Sequence, residues 1–190
     1  MLALLKRDFL LYFRNRSGVF FSLLGALISF LLYIIFLQKN LMDAWSQLPD
    51  NKSLLNNWLM GGTLAVTGIT TSFTALTQMV QDRENQVDQD LFLTDLGSWG
   101  LQLSYLISSL IISFVMQAFM LIVMSLYFQE IPAMNKLFEI SLIMLLSSLL
   151  STLVNVLLIY HFQSVDSLGK LATIVGTASG FLVGTYVPMG

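Results

Sequence analysis

The chain has no cysteine, one histidine and three prolines in 190 residues. Without cysteine there can be no disulfide, thiolate metal site, cysteine nucleophile or lipoprotein-type anchor. Charge is also scarce: Asp, Glu, Lys and Arg make up 11% of the residues, against about 25% in an ordinary soluble domain. The formal net charge of −2 gives no basic field, so no nucleic-acid partner is expected. A phosphate-binding loop is missing too. The one Gly-Lys pair, Gly169-Lys170, is followed by Leu171 and has Ser164 where such a loop needs its first glycine. Energy for any active work must come from another chain.

Hydrophobic residues make up 56% of the sequence. They gather in five uncharged runs near 18–37, 58–81, 101–128, 140–160 and 171–187. Each reaches or approaches the roughly 20 residues that a helix needs to cross a bilayer core of about 30 Å. The runs are continuous, whereas barrel strands alternate polar and apolar. The expected fold is an all-α polytopic bundle of five visible spans. The first run is longer than a signal-peptide core and lacks a small-residue cleavage pattern, so it reads as a retained span.

None of the runs has an ionisable residue in its middle. That argues against a self-powered proton antiporter and against an intramembrane protease. His161, at the end of the fourth run, reads as an interfacial ring. Lys6, Arg7, Arg14 and Arg16 precede the first run, which places the N-terminus in the cytoplasm. Alternation then puts 38–57 and 129–139 outside, and 82–100 and 161–170 inside. The inner segments add Arg83 and Lys170, and the outer ones hold Lys39, Lys52 and Lys136. Trp45, Trp58, Trp99, Tyr127 and Tyr160 fall at interfaces, and Pro49, Pro132 and Pro188 fall outside. The expected location is the plasma membrane of a bacterium. Five runs that stop at Met189-Gly190 with no polar tail lead us to expect a longer protein with a sixth span.

Within the runs, small and hydroxyl residues recur at helix-packing spacing. Gly61 and Ala65, Gly68 and Ser72, Ser104 and Ser108, and Ser109 and Ser113 are each four apart, with Thr63, Thr67, Thr70, Thr71, Thr74 and Thr77 interleaved in the second run. Close helix packing is the favoured reading, and a threonine-lined substrate path is the alternative. Gly176, Gly180 and Gly184 form two overlapping G-x-x-x-G repeats, a stronger signal of close approach.

Two inner pieces carry further pattern. Residues 1–16 put Leu2, Leu5, Phe9, Tyr12 and Phe13 on one side of a helix, with Arg7, Asp8, Arg14 and Asn15 broadly opposite. This fits an interfacial helix with Arg7, Arg14 and Arg16 at anionic lipid headgroups; the alternative is a frayed flank that only orients the first span. Residues 81–95 can form a short helix with Val87 and Leu91 on one face, Phe92 and Leu93 adding bulk, and the acids in water. It reads as a docking element or as a loop whose apolar end dips into the bilayer.

The order of a basic N-terminal helix, two spans, this loop and further spans resembles the type 2 ATP-binding-cassette (ABC) exporter permeases. Asp82, Arg83, Glu84, Leu91, Phe92, Leu93 and Thr94 fit that family's loop pattern, and Gln86, Gln89 and Asp95 depart from its usual Gly, Glu and Pro. Residues 179–190 are similar to its external segment before the last helix. The resemblance covers essentially the whole chain and makes 1–190 a single permease domain.

It implies a non-enzymatic transmembrane subunit that pairs with itself or a sister permease and sits on a cytoplasmic ABC ATPase. ATP-Mg would bind that partner, and no cofactor is expected on this chain. The coupling loop would comprise Asp82, Arg83, Glu84, Val87, Leu91, Phe92 and Thr94, with Arg83 and Glu84 making polar contacts to the ATPase and Leu91 and Phe92 the apolar anchor. Gly176, Gly180 and Gly184 would help close the outer end. The expected activity is efflux of a drug, peptide or lipid-like compound. The competing reading is a non-transporting membrane protein, such as an immunity or assembly factor. An intramembrane enzyme would need a convergent polar cluster, and only Gln117, Asn155 and scattered hydroxyls are available.

Overall fold

The computed structural model describes residues 1–39, 42, 51–92, 97–129 and 134–182. Its helices are α1 (Leu2–Arg14), α2 (Arg16–Leu32), α3 (Asn51–Glu84), α4 (Val87–Phe92), α5 (Gly97–Phe128), α6 (Met134–Ile159) and α7 (Val165–Leu182). A π-helical turn, Tyr33–Leu37, extends α2.

Asn15 separates α1 from α2. Its side chain accepts a hydrogen bond from the Gly18 amide at 3.0 Å and caps α2. A Cβ on Gly18 would lie 2.7 Å from that same side chain, so the cap depends on glycine. The long helices then run up and down, so that residues near 1–18, 78–92, 97–100 and 159–170 share one end of the bundle.

Four helical stretches are long and apolar enough to cross a membrane: Arg16–Phe36, Lys52–Glu84, Gly97–Phe128 and Lys136–Ile159. The chain is therefore a multi-pass membrane protein. Large apolar side chains such as Phe21, Leu126, Ile143, Leu150 and Leu157 face outward, as lipid-facing residues do. The fifth run is helical as α7 but is not among the four. α7 carries the Asp166–Lys170 pair, 3.6 Å apart, ahead of the run, and residues 183–187 lie outside the described residues, as do Trp45, Pro49, Pro132 and Pro188.

α3 is the central helix, touching α2, α5, α6 and α7. With 34 residues it is about 51 Å long at 1.5 Å per residue, so it projects beyond the hydrocarbon. Thr63, Thr67, Thr71 and Ser72 are fully buried. Thr67, Thr71 and Ser72 each donate to the carbonyl four residues back, so their hydroxyls remain satisfied in an apolar setting.

The serine face of α5 binds this helix directly. Ser109 Oγ donates to the Ser72 carbonyl at 3.2 Å, and Ser113 Oγ to the Gly68 carbonyl at 3.1 Å. From α6, Asn155 Nδ2 donates to the Ile69 carbonyl at 2.8 Å and to Ser72 Oγ at 2.7 Å. Each such bond contributes about 1 kcal/mol or less. Two apolar clusters fill in around them: one runs from Tyr12 of α1 through Ala26, Phe30 and Leu59 to Met120, and the other gathers Phe73, Leu76, Val80 and Leu101.

Candidate functional site

The end of the bundle that holds α1 has a buried charge network. Asp8 is 5% exposed and Asp82 2%. One guanidinium serves both: Arg7 Nη2 donates to Asp82 Oδ1 at 2.8 Å, and Arg7 Nη1 to Asp8 Oδ1 at 3.1 Å. Asp82 also accepts from Gln78 Nε2 at 2.7 Å and from the Tyr105 hydroxyl at 2.6 Å. Ser104 and Ser108 donate to Asp8 Oδ2 at 3.3 and 3.4 Å. Two carboxylates around one cation leave an uncompensated negative charge, and these neutral donors stabilise it.

This differs from the simple amphipathic reading of residues 1–16. α1 turns Asp8 and Tyr12 into the bundle and leaves Leu2 and Leu10 exposed. Arg7, expected at lipid headgroups, points to Asp82; Arg14 and Arg16 are exposed. Asp82, expected in an open loop, is the last buried acid of α3. The ion pair decides which way α1 faces, because an unpaired buried carboxylate costs more than burying an exposed leucine side chain recovers.

Desolvation by burial pushes the Asp8 carboxyl up to about 6, with the Arg7 charge pulling against it and the Asp82 charge adding to the rise. The folded value lies above the ordinary 3.8, so the contribution of Asp8 to stability is fully present below about pH 4 and is lost as pH rises through about 6. Asp8→Asn should therefore stabilise the protein relative to wild type at pH 7.5 by roughly 1 kcal/mol more than at pH 5. Unfolding midpoints of both proteins in mild detergent at the two pH values check this; a difference independent of pH would refute it.

Arg83 and Glu84 fasten the end of α3 to the connection between α6 and α7. Arg83 Nη1 donates to the carbonyls of Tyr160 and Phe162 at 3.1 and 3.2 Å. Its guanidinium also lies 5.9 Å from the centre of the Tyr160 ring. Glu84 Oε2 accepts from the Val165 amide at 2.9 Å, the first residue of α7, where a carboxylate is favoured by the helix dipole. Arg83→Ala is expected to cost about 1 kcal/mol and to speed amide exchange around residues 160–165, with α1 exchange unchanged.

Beyond Glu84 the chain turns through Gln86 at φ 59° into α4. That left-handed conformation favours glycine, the residue the resembled loop pattern has there. Gln86→Gly should raise stability by up to about 1 kcal/mol in thermal unfolding. Val87 is half-buried, and Leu91 packs onto the cluster of Phe73, Leu76 and Leu101. Leu91, expected as an exposed anchor, thus holds α4 to its own bundle. The Phe92 side chain and Thr94 lie outside the described residues.

On α7, a Cβ at Gly176 would meet nothing within 4 Å, so close approach within the described chain does not account for that glycine. Gly180 is buried, and Gly184 lies outside the described residues. The sequence reading missed Gln78, Tyr105, Ser104 and Ser108 as partners of the buried acids. Its available signal was Asp8 itself, one turn before Tyr12 in a chain with few charges.

At this end, then, a basic helix is tied to the ends of two spans, and the short helix α4, with Asp88 and Asp90, packs against α3 and α5. The profile of the ABC-2 type transporter family matches residues 1–190. The chain belongs to this family of ABC transporter permeases. No curated protein and no solved structure is significantly similar to it. The permease is accordingly a membrane-embedded, multi-pass subunit of the transporter type.

Proposed function

We propose that this permease is the transmembrane half of an ABC exporter, working with a second copy or a sister permease and driven by a separate cytoplasmic ATPase that binds ATP-Mg. Its N-terminus and α4 face the cytoplasm of a bacterial cell, and the cargo is a drug, peptide or lipid-like compound moved outward. The observation that carries the reading is the mechanical linkage at the α1 end. Arg7, Asp8 and Asp82 tie α1 to α3 and α5, while Arg83 and Glu84 tie α3 to α6 and α7. A push on α4 therefore moves every span it is tied to.

In this reading the docking surface is the outer side of α4, with Asp90 and Gln89 exposed, and with Phe92 and Thr94 next along the chain. Asp82, Arg83, Glu84, Val87 and Leu91 transmit the movement from inside. The open space at Gly176 receives the partner permease, with Gly180 and Gly184 continuing the stripe. Arg14 and Arg16 rest at anionic headgroups.

Phe92→Ala should leave membrane insertion intact, keep the ATPase turning over, and reduce transport per ATP at least tenfold. The measurement is paired ATP hydrolysis and substrate efflux in proteoliposomes with a candidate cytoplasmic ABC ATPase. Wild-type efflux in that variant would remove the docking role of Phe92. Failure of the wild-type chain to retain any ATPase would favour a stand-alone binding protein.

A further inference from the structure

A second feature lies at the opposite end of the molecule. A cavity of about 700 Å³ opens between the far halves of α3, α5 and α6, within the roughly 300–1,000 Å³ of small-molecule sites. Its walls are apolar, with Met60, Leu64, Leu121, Ile140 and Met144. Polar groups sit only at its two extremes. Ser53, Asn57, Gln129 and Lys136 lie at or within two turns of the helix ends, and Gln117 and Ser147 lie halfway along their helices.

Gln117 is completely buried, yet its Oε1 has no hydrogen-bond partner among the described residues. Its Nε2 donates to Ser147 Oγ at 3.4 Å, and the absence of a side chain on Gly68 makes room for the amide. Orphaning a buried acceptor is costly, so such groups are rare without a partner. A donor on a bound molecule would satisfy it. Among the described lining residues there is no carboxylate and Lys136 is the one charged group, so on these residues the mouth favours an anionic group over a cationic one.

The geometry points to a binding site, within a single permease chain, for an anionic single-chain amphiphile that carries an N–H or hydroxyl donor on its apolar part. The head lies by Lys136, the chain runs between α3, α5 and α6, and the donor reaches Gln117 Oε1. This inference needs only the membrane embedding of the chain and not the ATPase-coupled reading.

The test uses the full chain in phosphatidylcholine nanodiscs, with no ATPase present. The probe is radiolabelled 12-hydroxyoctadecanoate, whose hydroxyl lies far down the chain from its carboxylate, and octadecanoate differs only in lacking that hydroxyl. Saturable binding of the first is expected, about tenfold tighter than the second, the loss of one buried hydrogen bond. Gln117→Leu should make the two bind alike. Gly61→Phe should abolish binding of both, since Gly61 lines the cavity and a Cβ there meets nothing within 4 Å; an unfolding midpoint close to wild type checks that the variant is folded.

An acyl lipid that co-purifies at one per chain, and is lost in Gly61→Phe, would assign the site to a membrane lipid. A site that is empty as purified and takes up the probe would assign it to a diffusible amphiphile. Equal binding of the two probes to the wild type, or binding that survives Gly61→Phe, would overturn the proposal.

Discussion

Arg7→Ala is expected to lower the stability of the folded permease by about 2–3 kcal/mol and to release α1 from the bundle. The change leaves Asp8 and Asp82, both nearly inaccessible, without their shared cation, and breaking a buried pair from one side costs about 3–5 kcal/mol. The Arg7 side chain keeps 28% of its surface exposed, so water recovers part of that cost and the lower figure applies. Arg7→Lys should rescue only partly, because a single ammonium lacks the planar fork that reaches both carboxylates. Adding Asp82→Asn to Arg7→Ala should return part of the loss, since it removes one of the two stranded charges. Unfolding midpoints in mild detergent, with amide exchange read along 2–14, check the prediction. A midpoint within experimental error of wild type would mean that the pair contributes nothing.

Gly68→Leu is expected to cost about 3 kcal/mol and to separate α3 from α5. A Cβ at Gly68 would overlap the Gln117 amide and lie 3.4 Å from Ser151 Oγ, while Ser113 donates to the Gly68 carbonyl from the facing helix at 3.1 Å. Overfilling a contact of this kind costs about 1–3 kcal/mol, and the hydrogen bond is lost with it. Gly68→Ala should be far milder, because the Gln117 side chain borders the cavity and can swing into it. Gln117→Ala should then relieve much of the Gly68→Leu defect. If Gly68→Leu assembled with wild-type stability, the close approach of α3 and α5 would be wrong.

The membrane character and the helix-packing residues were legible in the sequence because hydrocarbon imposes simple rules on length, charge and small-residue spacing. Gly68, Ser72, Ser109 and Ser113 were recognised by spacing alone, and they form the contacts between α3 and α5. The short helix after Glu84 was legible from Val87 and Leu91, but the left-handed backbone at Gln86 was not, because a glutamine in the pattern's glycine position leaves the turn geometry open.

The direction in which the charges point was not legible. Arg7 and Asp82 are 75 positions apart, and no local pattern indicates that a flank helix will turn its charges inward when a buried acid waits on a distant span. Leu91 was misjudged for a related reason: periodicity identifies an apolar face but not what covers it. The cavity beside Gln117 depends on three helices leaving a gap, which is a property of packing and not of any one segment.

If the proposed coupling is correct, the α1 end of the bundle touches the ATPase through α4. The natural absence of cysteine makes a direct measurement simple. A single cysteine is placed at Gln89 on α4, and in a second protein at Lys136 at the opposite end. Both are treated in membranes with a short thiol-to-amine crosslinker in the presence of a candidate cytoplasmic ABC ATPase. A crosslinked permease–ATPase species is expected from the Gln89 position, with a yield that changes when ATP binds, and none from Lys136. Crosslinking from Lys136 alone, or from neither position while the ATPase co-purifies, would refute contact through α4.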